Sequence, residues 1–209
     1  MFYLSCHYLK KRLKRDIELE GYVERWNHVD QRLRGSTNLD AYLKSVRLPT
    51  WSEWRLLREF KSTYQIIFFD PQFEGGMPHT HGHFILLPFD FLNPLKRIVK
   101  GSVKGEGKER ERESERIKEI IRHEAVHIEQ RYNPCEMNRV IVDTFKLPMT
   151  GIQRRKEGGE EEIYRANPDT NRILYSDIRP LYKSNASSLN DITDSRDHPY
   201  EMMAYGHLF

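Results

Sequence analysis

The sequence predicts an α+β protein in which a small mixed sheet packs on one long helix, with helical segments before the sheet and a short helix near residue 200. Three observations carry the prediction. Residues 107 to 132 contain no proline and place Ile117, Ile120, Ile121, Glu124 and Ile128 at helical spacing. Two compact runs rich in aromatic and β-branched residues, 64 to 69 and 79 to 87, end at Asp70-Pro71 and at Pro88, the profile of strands closed by turns. Helix-start signals stand at Thr50 and near Pro199.

Taken in order, residues 3 to 33 carry mixed helical periodicity through Leu9, Leu13, Ile17, Tyr22, Val23 and Trp26, which predicts one or two helices ending near Arg34-Gly35. Thr50 and Glu53 have capping-box spacing ahead of Trp54, Leu56, Leu57 and Phe60. The strand at 64–69 and the strand at 79–87 follow, joined through Gly75-Gly76. Gly101 to Lys108 is expected to be a loop, and the charged run Lys108 to Arg116 a solvated helix start that submerges further on. Asn133-Pro134 should stop that helix, because proline lacks the amide hydrogen a helix interior needs. Arg154 to Glu162 reads as a linker, Asn167 to Asn171 as a turn and Arg172 to Tyr175 as an extended segment. Ser195 or Asp197 can cap a last helix with Pro199 in its first turn. We expect a helical N-terminal region, residues 1–62, and a main domain, residues 63–209.

Within the long helix, His123-Glu124-Ala125-Val126-His127 has the HExxH spacing. Residues four apart on a helix are separated by about 40° in azimuth and one turn in height, so both imidazoles can reach one ion. Glu124 is rotated about 100° from His123, where a carboxylate can reach a water beside the ion without acting as a ligand. The pattern therefore implies a zinc site, with Glu124 as general base. A catalytic zinc takes three protein ligands and keeps one position open. Glu201 is the first candidate for the third, Glu160, Glu161 and Glu162 come next, and His198, Asp169 and His207 remain. Tyr200, Tyr205, Tyr175 and His198 are candidate donors to an oxyanion. His79, His81 and His83 alternate, so on one continuous strand they would share a face and form a rival metal site or line a substrate groove.

The order of a His79-Thr80-x-Gly82-x-x-Ile85-x-Leu87-Pro88 strand, a helix with HExxH followed by Gln130-Arg131, and a later Pro199-x-Glu201-x-x-Ala204 segment resembles the gluzincin type of zincin metallopeptidase. The resemblance covers about residues 64 to 209, and the chain also looks like small HExxH proteins encoded by large DNA viruses. It implies a zincin-like fold, hydrolysis of peptide bonds in a peptide or protein substrate, and a glutamate ligand from the second helix, which maps onto Glu201. Many gluzincins carry an acidic residue a few positions after that ligand, where this chain has Ala204 and Tyr205.

Composition bounds the alternatives. With 38% hydrophobic and 31% charged residues over 209 positions, the chain can bury a core. No run has the length and apolarity of a membrane span, and the first residues lack the apolar stretch of a signal peptide. Cys6 and Cys135 are too few for a disulfide framework, which suits an intracellular or virion-associated setting. They also cannot build the zinc ribbon of a nucleic-acid-associated protease, and a net charge of +3 concentrated near residues 10 to 15 does not imply a nucleic-acid groove. Cys135, soon after the HExxH helix, is expected to be packing rather than a ligand. The other class compatible with the sequence is a non-catalytic protein, structural or virion-associated, in which zinc pins the helix to a later segment.

Overall fold

A computed structural model describes residues 6–19, 39–60, 63–99, 106–144, 146, 149–152, 173–175 and 199–206. The fold is α+β. Two compact units are drawn from Met1–Arg15 with Asn38–Ala125, and from Asp16–Thr37 with Val126–Phe209. Helices on the N-terminal side of residue 62 supply side chains to the same core as the sheet.

In the first unit the sheet runs β1 (Gln65–Phe69), β3 (Phe84–Pro88), β2 (His79–His81). β1 and β3 are parallel, with Ile67 opposite Leu86, and β2 is antiparallel to β3. All five residues of central β3 are buried, as the unbroken Phe84-Ile85-Leu86-Leu87 run requires of a strand covered on both faces. Helix α1 (Cys6–Leu19) buries Leu9 and Leu13 and lays the Arg12 guanidinium over the Phe84 ring at 5.6 Å. From α2 (Leu39–Ser45), Tyr42 is fully buried against Phe69 and Phe73.

Helix α3 (Trp51–Leu57) begins with the expected capping box. The Thr50 hydroxyl accepts from the Glu53 amide, and the Glu53 carboxylate accepts from the Thr50 amide. That carboxylate, 2% exposed, also accepts from Arg47 at 2.7 and 3.0 Å and from Lys96 of α4 (Asn93–Val99) at 2.9 Å. Burial alone would raise the Glu53 pKa, but the Arg47, Lys96 and Thr50 hydrogen bonds outweigh it and hold the carboxyl well below its usual range. Arg47 in turn bridges to Phe68 through its backbone and stacks on Phe68 and Phe89.

Helix α5 (Glu106–Tyr132) is exposed over residues 107–112 and submerges at Ile117 and Ile121, as its pattern predicts. It starts at Glu106, inside the stretch expected to be loop. Gly107 faces open space, and its cost of about 1 kcal/mol is carried by the run of Lys, Glu and Arg helix formers behind it. Asn133 interrupts the helix for one residue only, and Pro134 opens α6 (Pro134–Arg139), where a missing amide hydrogen costs nothing.

The single strand expected over 79–87 is a hairpin. His81 pairs with Phe84 across a two-residue turn, and Gly82 has φ +53°, a backbone sign that suits glycine at the first turn position. In the second unit a π-helical turn, Val140–Thr144, continues from α6, and β4 (Met149–Ile152) pairs antiparallel with β5 (Ile173–Tyr175). Helix α7 (Pro199–Ala204) packs Tyr200 and Met203 on Ile141, with Met137 and Val140 alongside. The linker and turn expected at 154–162 and 167–171 lie outside the described residues. Among the described residues no helix is long and apolar enough to cross a membrane.

Candidate metal centre

The helical spacing that makes α5 amphipathic also sets His123 and His127 one turn apart on the same helix. His123 is half-buried and His127 is 7% exposed. Helix α7 brings Glu201 to them: one ligand atom from each of His123, His127 and Glu201 can be chosen so that all lie within 4.8 Å of one another. Glu201 Oε1 stands 3.4 Å from His127 Nε2. Two donors held about 2.1 Å from one ion at tetrahedral angles are separated by about 3.4 Å, so this pair suits a shared cation.

A cation at this position would compensate the carboxylate charge that burial takes out of water. Glu201 is 8% exposed. A first-turn acid that only complemented its helix dipole would stand in solvent. The three residues form a set that can hold a metal ion.

The seat of Glu201 is built by its neighbours. Tyr200 is buried, and its hydroxyl donates to Asn138 Oδ1 at 2.8 Å, which docks α7 on α6. Gln130, 1% exposed and one helical turn beyond His127, stands between α5 and α7. Its Oε1 lies 2.9 Å from His127 Nδ1, and its Nε2 donates to the Tyr200 carbonyl at 2.9 Å. Neither Gln130 nor Asn138 was assigned a role from the sequence. The signal for Gln130 is its offset of three from His127, which places both side chains on one helix face.

The other sequence candidates are placed as follows. Glu124 is 6% exposed on α5. Of the proposed oxyanion donors, Tyr200 gives its hydroxyl to Asn138 and Tyr205 is 54% exposed, while the Tyr175 side chain and His198 lie outside the described residues, as do Glu160, Glu161, Glu162, Asp169 and His207. Cys135 is exposed in the first turn of α6, so it is neither packing nor part of the cluster. His79 and His81 share one face of β2, their rings 5.5 Å apart, and the turn takes His83 away from them. His79 uses Nδ1 toward the Met77 carbonyl and Nε2 toward the Tyr42 hydroxyl, at 2.9 and 2.6 Å. His81 is buried at the end of β2, and His83 is exposed in the turn, stacked on Tyr64. Among the described residues no metal-holding group includes them.

In comparisons with known proteins, no family model, no curated protein and no solved structure matches the chain.

Proposed function

We propose that this chain is a zinc-dependent metallopeptidase with a zincin-like fold, in which His123, His127 and Glu201 hold the ion and Glu124 is the general base. The observation that carries the reading is the arrival of buried Glu201 at ligand distance from two histidines in HExxH spacing. When bound, zinc supplies Lewis acidity toward the scissile carbonyl and lowers the pKa of water from about 15.7 toward about 7. The residues of the chain do the rest. His123 and His127 present nitrogen donors from one helix face, and Glu201 closes the set from a second helix with a compensating charge. Glu124, rotated off the ligand positions, takes the proton of the attacking water and delivers it to the departing amine.

The alternative is a non-catalytic protein, structural or virion-associated, stabilised by zinc. A structural site is closed by four protein ligands, whereas a catalytic one has three. Three residues form the group among the described residues, and metal content with cleavage separates the two readings.

The test is metal content together with hydrolysis of a quenched-fluorescence peptide library, on the native chain and on Glu124→Gln. The expected result is about one zinc per chain in both proteins, with cleavage in the native chain alone. Full activity in Glu124→Gln would remove the base assignment. Bound zinc with no cleavage of any peptide, and unfolding on chelation, would establish the structural alternative.

A further inference from the structure

Resting on the reading of this cluster as a metal centre, though not on peptidase activity, we infer that Gln130 is a positioning residue. It fixes His127 in the Nδ1-protonated tautomer and, through the same amide, ties the histidine-bearing helix to the backbone beside Glu201.

The argument starts from the one partner whose role is chemically fixed. A backbone carbonyl can only accept, so the Gln130 atom 2.9 Å from the Tyr200 oxygen is the amide nitrogen. The other end of the amide is then the oxygen, which can only accept. The His127 Nδ1 atom 2.9 Å from it must therefore carry a hydrogen. In the neutral ring that leaves the lone pair on Nε2, the nitrogen that faces Glu201 at 3.4 Å. An imidazole binds a metal only through an unprotonated nitrogen, so the amide has prepared the correct one.

Burial makes the arrangement strict. Gln130 is 1% exposed, and reversing its amide would set oxygen against carbonyl oxygen where water cannot intervene. The carbonyl it binds belongs to the peptide bond joining Tyr200 to Glu201, so the brace acts one residue from the third ligand. The Tyr200 side chain is itself held by Ile141 and by Asn138. One side chain thus sets the ring nitrogen of one ligand and the backbone position of another.

The experiment compares the native chain with Gln130→Leu and Gln130→Glu. Long-range proton–nitrogen NMR of the metal-free proteins, at a pH where the ring is neutral, reads the His127 tautomer, and competition against a chelator reads zinc affinity. The native chain should show the Nδ1–H pattern. Gln130→Leu should lose the tautomer preference and bind zinc about 10- to 100-fold more weakly. A glutamate still accepts from His127 but cannot donate to the Tyr200 carbonyl while ionised. Gln130→Glu should therefore keep the Nδ1–H pattern with a smaller loss of affinity. If the leucine variant does not fold, the glutamate variant carries the test through its tautomer. An Nε2–H pattern in the native chain, or unchanged zinc affinity in Gln130→Leu, overturns the inference. Zinc binding that follows these expectations without peptide cleavage removes the peptidase reading and leaves the brace standing. No zinc uptake by the native chain removes the metal centre and the positioning role together.

Discussion

Replacing Glu53 by glutamine changes one atom and should cost the protein about 2–4 kcal/mol. The native carboxylate accepts four N–H donors: Arg47 Nη1 at 2.7 Å, Arg47 Nη2 at 3.0 Å, Lys96 Nζ at 2.9 Å and the Thr50 amide at 2.8 Å. The amide of glutamine keeps one accepting oxygen. Whichever way it turns, two of the four donors meet an NH2 group. Hydrogen bonds to a charged group contribute about 1.5–3 kcal/mol each. Arg47 and Lys96 side chains are 34% and 29% exposed, so water recovers part of the loss. At about 2–4 °C per kcal/mol for a chain of this size, the midpoint should fall by about 4–16 °C. Trp51 and Trp54, stacked at 5.3 Å on α3, give a fluorescence signal next to the network. The carboxyl is depressed in the folded protein, so its contribution is complete above the unfolded value of 4.5 and is lost as pH falls below it. The difference between native and Glu53→Gln should accordingly be full at about pH 7 and shrink below about pH 4.5. A midpoint change under about 2 °C, or a difference that does not vary with acid, would refute the reasoning.

Tyr200→Phe removes the bond to Asn138 but keeps the ring on Ile141; it should cost about 0.5–1.5 kcal/mol in urea denaturation and weaken zinc binding a few-fold by loosening α7. Gly82→Ala, at φ +53°, should destabilise by about 1–2 kcal/mol in the same assay, because a Cβ crowds the following carbonyl in the left-handed region. His83→Ala should leave metal content unchanged and stability within about 0.5 kcal/mol. His79→Ala should also keep the metal but lose about 2 kcal/mol, since it takes an acceptor from the buried Tyr42 hydroxyl; metal loss in either variant would reopen the strand as a site.

Local physics made parts of this protein readable. The capping box at Thr50 and Glu53 involves atoms three residues apart, and the submergence of α5 at Ile117 follows from helical spacing alone. The pairing of His123 with His127 was legible for the same reason, and Glu201 because Pro199 announced a helix around it. Where two local signals competed, the pattern misled. Alternating histidines at 79, 81 and 83 suggested one strand, but Gly82 permits a backbone turn that breaks the alternation. Asn133-Pro134 reads equally as an end and as a beginning. Nonlocal partners left no trace: nothing near Glu53 names Lys96, 43 residues away, and nothing near Gln130 names the Tyr200 carbonyl. The division of the chain within α5 is a property of packing that no single segment encodes.

The separation between Gln130 and Tyr200, 70 residues, also gives the centre a history. A ribosome adding about 5–20 residues per second needs about 4–14 s to travel from one to the other. Throughout that interval the nascent chain has both histidines but neither the carboxylate nor the carbonyl that orients the glutamine. An ion encountered early meets imidazoles that no partner on α7 yet aligns. If the cluster takes up an ion, its durable capture would therefore be a late event in the making of the protein, timed by the emergence of α7 and not by the appearance of the HExxH helix.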